Sequence, residues 1–512
     1  MTVKCSHVLR WLACAAAILV VGCSSKSSDQ PAPAASATPA ASPAATPDPE
    51  EQLPPVVSPY DALAPEARDH LHDAFTGDLD EMVKRRLIRA GVAVNRTHYF
   101  IDRGVQHGIA YDSLRLFDQE LNEQRKTGLL RVNVAFVPLS RDHLLTSLKA
   151  GLVDLVAAQL MITPERLQDV DFSSPTRTNI SQIAVSGPGS APMTGPESLS
   201  GKTVFVRKSS AFYTSVVALN ERLTREHKVP VTISEAPENL EDDDILEMVN
   251  AGLVPMTVVD DYMAAFWSKV FPKLRLQKAA AVHTGGSLGV AVRKGNPQLL
   301  AAVNAWIKKY GPDTVFGQNM DRRYLQSTRY VKSATDPAER ERFLKITDLF
   351  KRYGDKYDMD FLLMAAQGFQ ESRLNQDARS PVGAIGVMQI MPETGKELEV
   401  GDIAQLEPNI NGGIKYMRQL VDREFKDQPL DRLNMGLMAF AAYNCGPGRM
   451  RALRRETQKR GLDQNVWFNN VEQIVSERIG RETVEYVSNI YKYYIAYKLV
   501  MDQRQKQAAG KF

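Results

Sequence analysis

The spacing of apolar residues changes period once along this 512-residue chain, and that change dictates its architecture. From about Lys84 onward, short runs that alternate or are continuously apolar ("RLIRAGVAV", "LRVNVAFVP", "VDLVAA", "KTVFVRKSS", "VPVTISEA") read as strands. Segments of helical period stand between them. In "GIAYDSLRLFDQELNEQ", for example, Leu114, Phe117 and Leu121 share one face. Strands alternating with helices predict α/β layers with largely parallel sheets. Past "STRYVKSATDPAERERF", from about Phe343, strand patterns cease. "MDFLLMAAQGFQESRL", "PNINGGIKYMRQLVDREF", "LNMGLMAFAAYNCG" and "RETVEYVSNIYKYYIAYKLVMDQ" all carry helical spacing. An α/β part followed by an all-helical part predicts two domains, at 83–330 and 343–512, with a short charged link at 327–342.

The first 58 residues obey neither pattern. Lys4 and Arg10 precede an apolar stretch, residues 11–21, of signal-peptide length and short for a membrane span. Residues 24–58 are almost wholly Ser, Ala, Pro, Thr and acids. They cannot bury enough apolar surface to offset chain entropy, so an extended tether is expected. Leu19, Val20, Val21, Gly22 and Cys23 resemble a bacterial lipobox. The resemblance implies removal of residues 1–22, acylation of Cys23, and a lipid-anchored tether over 23–58. With Ser24 after the cysteine, it implies the periplasmic face of the outer membrane. Of the four cysteines, Cys5, Cys14, Cys23 and Cys445, only Cys445 would then stay free, so no internal disulfide is expected.

Composition narrows the function further. The 63 basic and 60 acidic residues leave a net charge of +3, without the basic footprint of a nucleic-acid binder. No His/Cys cluster suggests a metal, and no cofactor is expected.

Within the α/β part, "GIAYD", "LKAGLVDLVAAQLMITPERLQDVDFSSP" and "LGVAVRKGNPQLLAAVNAWI" resemble the amino-acid-type periplasmic solute-binding proteins, family 3. The resemblance implies two α/β lobes joined by crossing strands, placed near 183–186 and 287–290, with a ligand cleft between. It also implies that Thr163 and Arg166 meet a ligand carboxylate and that Asp260 holds an amino group. A guanidinium pairs bidentately with a carboxylate, which suits Arg166 to that part. The chain departs from the family at Pro255 and after Ser174, where the usual Pro-Tyr pair is missing. A muropeptide or stem peptide is the ligand expected for such a module beside a cell-wall enzyme.

The helical part holds four ordered blocks: "QESRLNQDARSPVGAIGVMQIMPET", "NINGGIKYM", "AAYNCGPGRM" and "RETVEYVSNI". They resemble the soluble-lytic-transglycosylase, goose-lysozyme-like domains. Glu371 ends an apolar helical run containing Leu362, Ala365, Ala366 and Phe369. The helix dipole and the apolar neighbours both disfavour its ionised form, which raises its pKa and suits a general acid. No convincing second carboxylate stands near it. Glu393 sits in a polar turn, and Glu482, in the last block, is a candidate for burial near the cleft without being a nucleophile. The resemblance implies a lyase that acts on peptidoglycan without water: Glu371 protonates the MurNAc–GlcNAc oxygen, then takes the proton of the muramyl C6 hydroxyl, leaving a 1,6-anhydromuramyl end. One carboxylate suffices because the two roles are sequential.

Supporting substrate contacts are expected from Ser372 (orienting Glu371), Met388 (packing on a sugar), Gln389 (hydrogen bonding), Tyr443 and Asn444 (touching the carboxylate or the acetamido group) and Tyr486 (closing the far wall). Gly383 and Gly386 are expected to let backbone approach closely. Cys445 has no histidine partner in this domain, since the eight histidines include none beyond His283. The alternatives are a hydrolytic muramidase on the same scaffold and a non-catalytic envelope sensor that only docks peptidoglycan.

Overall fold

The computed structural model describes residue 60 and residues 63–102, 105–326 and 338–508. The signal peptide, Cys23, the tether and most of the charged link lie outside the described residues.

The α/β part is two lobes built on one continuous sheet. Strands run in the order Met256–Asp260, Arg177–Ser186, Arg275–Arg293, Leu155–Met161, Leu87–Val92 and Asn133–Pro138, with Val170–Phe172 also paired to Arg275–Arg293. Leu87–Val92 pairs in parallel with both neighbours, and all six of its residues are buried. A strand covered on both faces reads as a continuous apolar run, as this one does. Thr203–Arg207 and Thr232–Ala236 form a separate parallel pair in the second lobe.

The two crossing strands are Arg177–Ser186 and Arg275–Arg293, which pair antiparallel. By Ile183 the first is already paired with the second-lobe strand Met256–Asp260. The second passes through its register shifts between Gln277 and Leu288. The passages therefore lie a few residues before 183–186 and 287–290. The first lobe also begins earlier than residue 83. The short helix Pro65–Asp69 seats Leu63, Ala67 and Leu71 on Leu87 and Ala135.

The rest is helical, and the helix Ala338–Tyr357 places its start ahead of residue 343. The helix Phe361–Ser372 is the central rod. Asp360 caps its N-terminus, and every residue from Leu362 to Phe369 is buried. A helix apolar all round belongs inside a bundle. Here it packs against Ala338–Tyr357 and the last helix, Arg481–Ala508. One hydrophobic cluster runs from Ile183 in the second lobe through to Val500 in the last helix, so the second lobe and the helical domain share a core. The first lobe has cores of its own.

Candidate functional site

The central helix ends at Ser372, and Arg373 turns the chain away in the left-handed conformation. Glu371 therefore sits on the last turn, where the helix dipole opposes its charge. Burial pushes its carboxyl from the ordinary 4.5 up to about 7, against a Tyr486 hydrogen bond that favours the ionised form. That hydroxyl, on the last helix, donates to Glu371 Oε1 at 2.5 Å. The Tyr443 ring lies parallel to Tyr486 with centroids 6.4 Å apart, and Tyr416 meets Tyr443 edge-on at 5.8 Å. Three tyrosines thus form a wall beside one half-buried carboxyl. An acid poised near neutrality in such a setting can give a proton and take one back.

Several expected contacts take other forms. Tyr486 is a direct partner of Glu371 and not a distant wall. Ser372 does not orient Glu371: its Oγ donates to Gly368 O (3.2 Å) and Val387 O (2.9 Å), tying the helix end to the following loop. Met388 is only 2 % exposed and packs on Gly413 and Gly368, so it is core and not a platform for a sugar. Gln389 adopts φ +45° and its Nε2 donates to Gly386 O at 2.8 Å, which makes it a loop tie. Asn444 is exposed, and its Oδ1 accepts from Thr483 Oγ1 at 2.7 Å, three residues from Tyr486. Gly386 does allow a close approach, since a Cβ there would meet Asn409 Nδ2 at 2.5 Å. Gly383 has open space around it, and its φ of +97° is the reason for glycine. Glu482 is exposed, not buried, and Glu393 is exposed as well. Burial holds the Cys445 thiol up at about 11, so it is inert.

Three residues without an assigned role matter here. Asn409 is fully buried. Its Nδ2 donates to Ile385 O and Ile403 O and its Oδ1 accepts from Met388 N, locking the loop under the site. Tyr416 builds the wall. Both belong to the "NINGGIKYM" block, which marked them without revealing their task. Gln367 lies one turn before Glu371 and had no sequence signal beyond being polar in an apolar run.

The interlobe cleft is the second candidate site. Arg166, Asp260, Gln182, His98, Arg141 and Glu241 line a cavity of about 50 Å³. Arg166 donates to Met161 O (2.9 Å) and, across the cleft, to Ser209 O (3.3 Å). Burial, with Arg141 beside it, lowers Arg166 to about 10 and leaves it cationic at neutral pH. Burial, with Asp242 and Asp261, pushes Asp260 up to about 8, so in this closed cleft it is largely protonated. Thr163 does not line the cavity. Its Oγ1 accepts from Arg166 N at 3.3 Å, as an N-cap of Pro164–Asp169. Arg141 pairs across the cleft with both oxygens of Glu241 at 3.0 and 2.8 Å.

Beside the cleft, Arg96 of the first lobe pairs with Asp243, Asp244 and Glu247 of the second. Lys492 of the last helix, 0 % exposed, reaches Glu247 at 2.6 Å. Burial works against ionisation of Glu247, yet Lys492 and Arg96 together hold it down at about 2. One carboxylate therefore joins both lobes and the helical domain. Among the described residues no group of His, Cys, Asp and Glu could hold a metal ion.

Comparisons with known proteins agree with this division. The family described as Bacterial extracellular solute-binding proteins, family 3, matches residues 88–324, and Transglycosylase SLT domain matches residues 348–466. Relatives include proteins called "Membrane-bound lytic murein transglycosylase F". The one from Desulfosudis oleivorans is 26% identical over 78% of this chain and 87% of its own. Those from Pseudomonas fluorescens and Vibrio cholerae are 27% and 26% identical, over 77% and 84% of this chain and 81% and 82% of theirs.

Proposed function

The chain belongs with the membrane-bound lytic murein transglycosylases, a family 3 solute-binding domain followed by an SLT transglycosylase domain, and on that premise we propose that Glu371 is the single acid and base of its peptidoglycan cleavage. The protonated Glu371 gives its proton to the glycosidic oxygen between MurNAc and GlcNAc as the C1–O4 bond breaks, with assistance from the muramyl acetamido group. Glu371, now ionised, takes the proton of the C6 hydroxyl as that oxygen bonds to C1. The product is a 1,6-anhydromuramyl end and no water is consumed. The observation that carries this reading is one half-buried carboxyl held near pH 7, with Tyr486 as its hydrogen-bond partner. A retaining or inverting hydrolase needs a second carboxylate across the bond. No carboxylate is among the groups that shift Glu371, and Glu393 and Glu482 face solvent. Mass spectrometry of muropeptides released from purified sacculi tests the reading. Anhydro ends are expected, reducing ends would make the enzyme a muramidase, and no release would make it a binding protein.

The solute-binding module is read as regulating or targeting this activity through a muropeptide or stem peptide, its carboxylate on Arg166 and its ammonium on Asp260. A peptide exceeds a cavity of about 50 Å³, so binding requires the lobes to part and the Arg141–Glu241 pair to break. Calorimetric titration of stem peptides into the full chain should saturate, and Arg166→Ala should abolish the heat. An unchanged signal in that variant would return Arg166 to a structural role.

Membrane attachment is a property in the relatives' name. No helix among the described residues is long and apolar enough to cross a bilayer. Lipidation of Cys23 and residence at the outer membrane are the means proposed here. Cys23→Ala should abolish labelling by a fatty-acid analogue, and persistent labelling would exclude the anchor.

A further inference from the structure

Gln367 is 1 % exposed, between Ala366 and Gly368 on the central helix. Burying an amide there is costly unless both its ends are bonded. Only one end is. Its Nε2 lies 3.5 Å from Tyr486 Oη and 3.6 Å from Met417 Sδ, while its Oε1 is buried without a partner. Both contacts are long, so the amide is held loosely. Its terminal torsion is a soft two-fold rotor, and half a turn exchanges the two ends. An orphaned acceptor one helical turn from a catalytic carboxyl calls for an explanation.

The explanation lies in the cycle of Glu371, and it rests on the acid and base reading above. A phenol hydroxyl has one proton. While Glu371 is ionised, Tyr486 gives that proton to Oε1 and its own oxygen accepts from Gln367. Once Glu371 is protonated, a Tyr486 hydroxyl still pressed on it stabilises the wrong form. It needs another acceptor, and in this dry pocket the orphaned Gln367 Oε1 is at hand.

We propose that Gln367 is a positioning residue acting through Tyr486: its amide presents a donor to the tyrosine while Glu371 is ionised and, after half a turn, an acceptor while Glu371 carries the proton. The other titratable groups around the site are Tyr443 on Arg432–Cys445 and, behind it, Tyr416 on Leu406–Glu424. Both keep their protons near neutral pH, Tyr443 because burial and Glu371 push it up.

The test is the pH dependence of kcat/KM for the full chain on sacculi. Gln367→Met keeps size and removes both ends of the amide. Tyr486 then stays on Glu371 and favours its ionised form. The alkaline limb, where the acid form is lost, should move down by about one pH unit, the scale of one hydrogen bond to a carboxylate. Tyr486→Phe should move that limb up, and in the Tyr486→Phe background Gln367→Met should move it no further. Thermal melting should be unchanged or higher for Gln367→Met, because an orphaned polar group is gone. Gln367→Leu replaces it if the methionine variant fails to fold. An unmoved limb, or an equal movement with and without Tyr486, overturns the proposal. Glu371→Gln, assayed alongside, separates the two readings: if it stays active, the acid and base assignment itself has failed.

Discussion

A carboxyl held at about 7 is unfavourable for the fold at any pH that ionises it. Glu371 binds its proton more tightly in the folded chain than in the unfolded one. Its contribution to stability is therefore fully present below about pH 4.5 and is lost as pH rises through about 7. Glu371→Gln mimics the protonated form at every pH. It should cut activity by at least about a hundredfold, the low end for removing a general acid. It should also stabilise the chain by about 2 kcal/mol at pH 8, allowing for partial solvent access, and by almost nothing at pH 4. Melting curves at the two pH values check this, and equal gains at both would show that Glu371 is not titrating where placed. The sequence exposed this residue because the cause is local: a helix end and apolar neighbours within one turn. It did not expose Tyr486 as the partner, because that contact spans 115 positions. Ser372 and Met388 were misread because their side chains serve the backbone and the core, and neighbouring residues alone do not determine which way a side chain turns.

The element that supports the site is the loop from Asn375 to Met391, which has no regular structure beyond isolated bridges joining Arg379, Ile385 and Ile390. Its order comes from buried polar ties. Asn409 bonds Ile385 O and Met388 N, and Gln376 bonds Ile403 O, Ala404 O and Val387 N. Gly386 lies against both, and a Cβ would meet Asn409 Nδ2 at 2.5 Å and Gln376 Nε2 at 2.7 Å. Gly386→Ala should cost roughly 2–4 kcal/mol, backbone strain plus broken ties, and lower activity with it. Gly383→Ala meets nothing and should cost only the strain, about 1–2 kcal/mol. Denaturant titrations of the two variants compare them, and equal losses would mean that the ties do not order the loop. At this scale the sequence was informative wherever a period repeated, as in the helices and the buried strands. It was silent on Pro65–Asp69, whose five residues are too few to show a period, and it offered no reason to read Thr163 as a cap before a ligand.

For the whole molecule, the change of period near residue 343 correctly separated α/β from helical sequence, yet it implied a boundary that the core ignores. Ile183 and Val500 belong to one cluster, and the Arg96–Glu247–Lys492 network crosses between the parts. Periodicity reports which face of an element is buried. It does not report against what. A chain beginning at residue 338 would expose the helical half of that core. It should lose cooperative melting and bind a dye for exposed apolar surface, whereas the full chain should melt cooperatively. A truncated chain that melts as sharply as the full one would show that the shared core is not needed.

The shared core also bears on how such a chain can change over generations. Two families meet here without a polar seam, so neither part can be traded for a foreign counterpart without remaking the side chains behind it. Replacements in the second lobe that face the last helix would have to be matched by replacements some 250 positions away, as the Glu247–Lys492 pair, 245 residues apart, already shows on a small scale. The lobe's inner surface would then drift at the pace set by the enzyme it supports, and only its cleft would remain free to follow a ligand.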